Sequence, residues 1–440
     1  MNPVIKTNPL SCEKGTRGKY LTLFSIIFIA IIIRFACFLY YQAHSGIQTF
    51  EYETVAENII QGKGFMLDIL NTVQRAPIAP LYPAACALIY FLFGHHHFLI
   101  VFLQIALNAA TCAMVFFLVK RFFDSKCAYL AAILIALHPG LIIYSSTKLH
   151  PLTLYSFLIC SSFFLLATCL KGYGMRHKIL LGLCTGFCVL ERATFLPFFV
   201  LAWFWLFCYS ENKKEAKKII LISIVSLLLI VLPWTIRNTL IFKRFVFIQT
   251  NQWWGFWLGN NPQSSGTSTV ALGKSAIEAN PEEFRQKLLT LDEIGQMDFF
   301  RIAALNFVRQ HPRQFISRTA KKFYYFWWFS PQSGLRYPSF YLKWYKMYYT
   351  FILPVSLIGI ICALSIKKAR PIIILILLLF SSNSLLHSIY YVDGRHRWSI
   401  EPLLLICFSF GLFQILHYLL SILQNAIRGN LIPIFKKAGR

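Results

Sequence analysis

Apolar stretches of about 20 residues recur along the chain between short polar connections, and nothing else in the sequence limits its fold as severely. A bilayer core needs about 20 apolar residues per helix, because each backbone N–H and C=O must be satisfied within the segment. Spans on that rule fall near 20–41, 98–119, 127–144, 152–170, 178–195, 196–210, 218–236, 347–366, 371–391 and 399–424. Hydrophobic residues make up 57% of the chain and charged residues 14%, against about 45–50% and about 25% in soluble domains. The expectation is an all-α polytopic membrane protein with about ten spans. A net charge of +26 points to nucleic acid in a soluble chain. Here the placement of the cations matters more than their sum, and a nucleic-acid partner is not expected.

Lys and Arg set the threading. One side receives Lys6, Lys14, Arg17 and Lys19, then Lys120, Arg121 and Lys126, then Lys171, Arg176 and Lys178. It also receives Lys213, Lys214, Lys217 and Lys218, then Lys367, Lys368 and Arg370, and last Arg428, Lys436, Lys437 and Arg440. This side reads as cytoplasmic, with both termini on it, provided that 77–94 does not cross. That stretch is short and carries Pro77, Pro80 and Pro83, so it reads as re-entrant or interfacial. His95, His96 and His97 follow it. Three consecutive His cannot all face one ion on a helix, so they read as a polar loop tip and not a metal site. The twelve Cys lie mostly inside apolar spans without paired loop spacing, as small core residues do. Leu10-Ser11-Cys12 lacks the preceding apolar stretch of a lipoprotein signal.

Three parts follow from this threading. Residues 1–236 form a membrane core with a first outer loop at 42–97. Residues 237–346 form an extracytoplasmic helical segment, and 347–440 hold the last membrane helices and a cytoplasmic tail. The first outer loop contains an amphipathic stretch, Gln48 to Phe65. As a helix it places Gln48, Glu51, Tyr52, Val55 and Ile59 on one face and ends at Gly62 and Gly64. In the outer segment, Asn280-Pro281-Glu282-Glu283 reads as a helix start, a second helix runs about 292–310, and a third starts near Arg313.

Polar residues collect where spans meet the outer face. Arg192, Arg237, Arg395 and Arg397 stand at the ends of separate spans. Guanidinium forks match phosphate oxygens and keep their charge when desolvated, so the expectation is an anion with a lipid tail, a phosphate or pyrophosphate. Pro233-Trp234-Thr235-Ile236-Arg237-Asn238 closes one span, and Gly259-Asn260-Asn261-Pro262 is a turn-forming cluster before Gly266.

FEYETVAENIIQGKGF, APIAPLYP, Glu191-Arg192, PWTIRN, LGNNP with Gly266, and RHRWSIEP resemble, in this order, the motifs of bacterial GT-C glycosyltransferases. These are polytopic enzymes similar to the protein O-mannosyltransferases and the lipid A aminoarabinose transferases. The resemblance runs from about residue 20 to about residue 420. It implies a polyprenyl-phosphate-linked sugar donor and hexosyl or pentosyl transfer, usually with inversion. It further implies a glycolipid, glycan or protein acceptor of the cell envelope, reached on the outer face of a bacterial inner membrane. On that reading Glu51 is the general base, taking a proton from an acceptor hydroxyl, and His150 is a second base candidate. Arg192, Arg237, Arg395 and Arg397 hold the donor phosphate. Gln48, Tyr52, Asn238, Asn260 and Asn261 line the substrate or shape the site.

The chain departs from the family where its acids usually stand. Gln48 occupies the position of the first-loop Asp, and His150 precedes Pro151 where a second acid is common. No cofactor is firmly implied, and a divalent cation fits poorly because hard cations want oxygen ligands. Two other readings follow: a catalytically lapsed relative that binds the lipid carrier, and a transporter or flippase. Transporters place their sites near mid-membrane, often with repeats. The polar residues inside late spans are few (Asn383 and His387), and no repeat is evident.

Overall fold

A computed structural model describes residues 9–170, 174–268, 275–330 and 339–427. Of the basic residues used for threading, Lys6, Lys171, Arg428, Lys436, Lys437 and Arg440 lie outside that set. The chain is helical almost throughout. It begins with α1 (Pro9–His44), α2 (Glu51–Ile60), a hairpin of β1 (Leu67–Ile69) and β2 (Thr72–Gln74), α3 (Leu81–Phe93) and α4 (His97–Phe122). There follow α5 (Ser125–Ala136), α6 (Pro139–Ser146), α7 (Leu152–Cys169), α8 (Met175–Glu191), α9 (Leu196–Tyr209) and α10 (Lys213–Phe242). The outer segment holds α11 (Gln252–Gly259), α12 (Glu282–Leu289), α13 (Glu293–Gln310) and α14 (Pro312–Trp327). The chain then continues through α15 (Ser339–Leu364), α16 (Arg370–Ile389), the short α17 (Gly394–Trp398) and α18 (Glu401–Ile427).

Each of the ten expected spans has its helix. Seven are long and apolar enough to cross a membrane: α1, α4, α7, α10, α15, α16 and α18. The helices α5 and α6 meet at a bend of 49° and pass the same test only as a pair, which gives eight if the pair is one span, while α8 and α9 are shorter. This is a multi-pass membrane protein. Burial sorts the helices. The most apolar window of α7 is 78% buried and that of α1 only 28%, so α7 is central and α1 faces lipid.

Close helix contact rests on small residues, which give dispersion and packing what water cannot provide in lipid. The clearest case is α15 against α18. A Cβ on Gly359 would lie 1.9 Å from Cys407 O, and one on Gly411 would lie 2.2 Å from Val355 O. Any side chain at either position forces the pair apart.

The break between α5 and α6 has an identifiable support. His138-Pro139 ends α5, since Pro offers no N–H to continue the ladder and α6 restarts from it. The last carbonyls of α5 then lack good helical partners: Ala136 O has none, and Ile135 O has only His138 N–H at 3.3 Å. Arg34 of α1 supplies them: Nη1 donates to Ala136 O at 2.7 Å and Nη2 to Ile135 O at 3.2 Å, with the side chain fully buried. Removing it orphans Ala136 O in a medium without water, at about 1–3 kcal/mol, and leaves Ile135 O with one long bond. We expect Arg34→Met to lower the thermal unfolding midpoint in detergent by several degrees; an unchanged midpoint would show that the break needs no such clamp.

Two local expectations need correction. The amphipathic helix begins at Glu51 and not at Gln48. Gln48 is extended, donating its N–H to Thr147 O at 2.8 Å and accepting from Leu149 N at 2.9 Å. The 67–74 stretch forms a hairpin that the sequence reading did not include.

Candidate functional site

The site is built at the ends of helices, from α2 and the links α6–α7, α8–α9 and α16–α18. Pairing of Gln48 with the Lys148 strand residue carries the chain into α2, so that Tyr52 packs beside the α6–α7 link. The Tyr52 ring lies 5.7 Å from His150 and 5.6 Å from Tyr82, both edge-on. Tyr144 and Phe50 complete an aromatic collar around His150, at 4.9 and 5.5 Å. Glu51, the first residue of α2, is exposed.

His150 is fully buried, and its two ring nitrogens have different fates. Nδ1 accepts from Leu152 N–H at 3.1 Å. The proton therefore sits on Nε2, which is buried and has no partner. Burial, with Arg395, Arg192 and Lys148 nearby, holds the imidazole pKa well below its ordinary value. At neutral pH His150 is thus an uncharged donor. Its basic nitrogen is already occupied, so the geometry is that of a hydrogen-bond donor and not of the base the sequence suggested.

Glu191 and Arg192 end α8 and point to different tasks. The Glu191 carboxylate accepts from Tyr82 N–H at 3.1 Å, capping the N-terminus of α3 where the helix dipole favours an anion. Arg192 lies over the Tyr155 ring at 5.0 Å. Among the described residues no hydrogen bond or ion pair engages its guanidinium. Arg395, in α17, contacts Asp393 at 3.3 Å, and its Nε is buried without a partner. Asp393 is otherwise occupied: it caps α17 and accepts from the Ser268 hydroxyl at 2.8 Å. Arg192 and Arg395 act on a shared set of neighbours. Both depress the protonation of His150 and both lower the Tyr52 phenol pKa against a larger upward push from burial and Glu51. His396, stacked on His387 at 4.0 Å, is likewise kept neutral by burial, His387, Arg192 and Arg395.

The other two arginines are elsewhere. Arg237 donates to Arg75 O at 2.7 Å and to Asn238 Oδ1 at 2.9 Å, and it stacks over Trp234 at 4.5 Å. Its neighbours Trp234, Thr235 and Asn238 donate to the backbone oxygens of Phe247 and Ile248 at 2.7–3.0 Å. PWTIRN is thus a clip that fastens α10 to the returning chain and to the first outer loop. Arg397 is fully engaged: Nε with Glu401 at 2.7 Å, Nη1 with Phe326 O at 2.8 Å, and Nη2 with the Tyr345 hydroxyl at 2.7 Å. The expected convergence of four arginines is therefore a convergence of two.

GNNP is a fastener as well. Asn260 Nδ2 donates to Phe256 O and Ile389 O, both at 2.8 Å, and Asn261 Nδ2 donates to Trp257 O at 2.8 Å. Lys322, from α14, donates to Tyr390 O at 2.8 Å, Ile389 O at 3.0 Å and Asn260 Oδ1 at 3.1 Å. Burial pushes its ammonium down to about 7. A Cβ on Gly259 would lie 1.6 Å from Tyr390 O, so no other residue fits there. Gly259→Ala should separate α11 from the end of α16 and lower the yield of folded protein in size-exclusion chromatography. A monodisperse variant at native yield would contradict this.

The outer segment also holds the first loop from above. Glu293, at the start of α13, accepts from Ala76 N at 2.9 Å and from the Thr250 hydroxyl at 2.6 Å. Gln296 meets Gln74 at 2.8 Å. Sequence reasoning missed these, since nothing in the local pattern marks either residue.

Comparison with known proteins bears on this arrangement. A family model described as dolichyl-phosphate-mannose-protein mannosyltransferase matches residues 76–236. No curated protein matches the chain in sequence. Among solved structures, the Archaeoglobus fulgidus oligosaccharyltransferase in the apo form is similar at a TM-score of 0.55 and 14% identity, over 92% of this chain and 52% of that one. The archaeal oligosaccharyltransferase AglB from the same organism, in complex with an inhibitory peptide and a dolichol-phosphate, is similar at 0.55 and 13%, with the same coverage. ArnT from Cupriavidus metallidurans bound to undecaprenyl phosphate is a looser likeness, at 0.41 and 12% over 90% of this chain and 77% of that one, and carries no argument. The fold is thus similar to that of the archaeal oligosaccharyltransferase, and the resemblance read from the motifs is borne out as a resemblance. The chain spans about half the length of the archaeal enzyme it matches.

Proposed function

We propose that this chain is a glycosyltransferase that moves a sugar from a polyprenyl-phosphate donor to a cell-envelope acceptor at the outer membrane face. The observation that carries the reading is the pair Arg192, whose guanidinium makes no hydrogen bond or ion pair among the described residues, and Arg395, whose Nε is unspent, together with the neutral Nε2–H of His150. The family match over 76–236 supports it, since that stretch contains Arg192 and His150.

Chemically, the acceptor oxygen attacks the anomeric carbon, the carbon–oxygen bond to the phosphate breaks, and the phosphate leaves with one more negative charge. Arg192 and Arg395 stabilise that charge, and His150 adds a hydrogen bond. Glu51, exposed at the start of α2, takes the acceptor proton. An acceptor that is itself an anion needs no such base. The surroundings of Gln48 suit a divalent cation poorly. They offer an amide, the Lys148 ammonium and a buried imidazole, whereas hard cations need oxygen anions, so no step is routed through one.

The test is transfer of label from a radiolabelled polyprenyl-phosphate sugar by purified protein in nanodiscs, with membrane lipid extract as acceptor. Labelled product supports transfer. Donor binding without consumption supports instead the lapsed relative, for which Gln48 and His150 at the family's acid positions argue. Failure to bind donor removes both readings.

The state of His150 makes a further prediction. His150→Gln preserves an N–H donor and should keep more transfer than His150→Ala, and no ionisation of His150 should appear in the rate between about pH 6 and pH 8. Equal loss in both variants, with a limb near pH 6.5 that vanishes in them, would make His150 a base after all.

A further inference from the structure

The three consecutive histidines were read as a loop tip because a helix cannot bring them to one ion. The backbone there is not helical. Gly94 ends α3 with a positive φ of 83°, and His96 is an extended N-cap before α4 starts at His97. In extended backbone, alternate side chains share a side. His95 and His97 therefore face the same way, with their rings 5.1 Å apart, while His96 turns to stack on Phe98.

What they face is Glu53. This carboxylate is on α2, about 100° around the helix from Tyr52, and is buried. His95 Nε2 lies 3.3 Å from Glu53 Oε1 and 3.0 Å from Glu57 Oε1. His97 Nε2 lies against Glu53 Oε1, yet it is buried and makes no hydrogen bond there. The three ligand atoms of Glu53, His95 and His97 all fall within 4.8 Å of one another. The Tyr90 hydroxyl donates to Glu53 at 3.3 Å, as an outer partner that orients a ligating carboxylate does.

We infer that Glu53, His95 and His97 form a binding site for a divalent transition-metal ion, with Glu57 or water as the fourth ligand. A tetrahedral ion with ligands at about 2.1 Å sets them about 3.4 Å apart; His95 Nε2 and Glu53 Oε1 already stand 3.3 Å apart, whereas His97 Nε2, in direct contact with the carboxylate, has to draw back to admit the ion. Two imidazoles and a carboxylate suit zinc-like ions and not magnesium or calcium. An ion there crosslinks α2, which carries Glu51 and Tyr52, to the α3–α4 junction. The site is separate from the arginine pair and does not depend on the transferase reading.

The experiment uses full-length protein in nanodiscs, stripped with EDTA, exposed to zinc chloride, desalted and assayed by metal analysis. One zinc per chain is expected. Zinc affinity should fall on the order of 100-fold in His95→Ala, His97→Ala and Glu53→Gln, less in Glu57→Gln, and not at all in His96→Ala. Substoichiometric zinc in the unaltered protein, or unchanged affinity in the His95 and His97 variants, overturns the inference. X-ray absorption of the unaltered protein gives a check that no variant's folding can confound. A nitrogen and oxygen shell with imidazole scattering supports the site, and a sulfur shell, from the abundant Cys, overturns it.

Discussion

Arg192→Ala is expected to leave a protein that folds normally and transfers sugar about 100- to 1,000-fold more slowly, the loss seen when one donor to a developing anion is removed. The folding half of the prediction follows from what Arg192 touches. Its guanidinium rests on the Tyr155 ring and holds no backbone oxygen, so removing it orphans no partner. The rate half follows from the position of the charge, beside Arg395, Tyr52 and His150. Arg192→Lys should recover only part of the rate, because an ammonium is a point charge and cannot present two parallel donors to a phosphate. The loss should appear in kcat as well as in KM, since the phosphate gains its extra charge only as the bond to sugar breaks. Arg237→Ala makes the contrast. That side chain holds Arg75 O and packs on Trp234, so its removal should loosen the first outer loop and lower stability before it says anything about donor binding. Near-native transfer by Arg192→Ala, or a stability loss equal to that of Arg237→Ala, would show that the donor phosphate is held elsewhere.

The membrane helices were legible because lipid leaves a chain few options: a run of apolar residues must be helical, and each of the ten stretches read from hydropathy is helical, though seven helices, or eight with the bent pair, are long and apolar enough to cross. What was not legible depends on partners distant in sequence. Gln48 fits a helical face by spacing, yet its backbone pairs with Thr147 and Leu149, which no local pattern announces. The β1–β2 hairpin turns at Leu70 and Asn71, both with positive φ but without the Gly that normally signals such a turn. The four arginines were read as cations converging on one anion, but sequence does not say which forks are already spent. For Arg397 a signal was present, since Glu401 stands four residues on and begins the next helix. For Arg237 there was none, because its acceptor belongs to the first outer loop. For His95 and His97 the loop-tip reading considered only helical spacing, and left out that alternate residues of an extended backbone share a side, which sets both against Glu53.

The largest loss of stability is expected from Arg397→Met. Arg397 and Glu401 are both almost wholly buried, and Glu401 also meets His138 and accepts from the Tyr345 hydroxyl at 2.7 Å. Two further Arg397 bonds reach Phe326 O and Trp328 O, at 2.8 and 3.1 Å, just where α14 ends. The guanidinium also sits over the Tyr349 ring at 3.7 Å. One side chain therefore joins α14, α15, α17 and α18 and, among the described residues, is the one Arg or Lys that contacts Glu401. Methionine fills much of the volume but leaves a buried carboxylate without its guanidinium, and breaking such a pair costs about 3–5 kcal/mol. The double variant Arg397→Met/Glu401→Gln removes the stranded charge and should regain part of that loss, which separates the electrostatic penalty from the lost carbonyl bonds. Both are measured as unfolding midpoints in the same detergent. If the double variant is no more stable than the single one, the cost lies in the carbonyls at the end of α14, and the arginine serves there as a helix cap and not as a counter-ion.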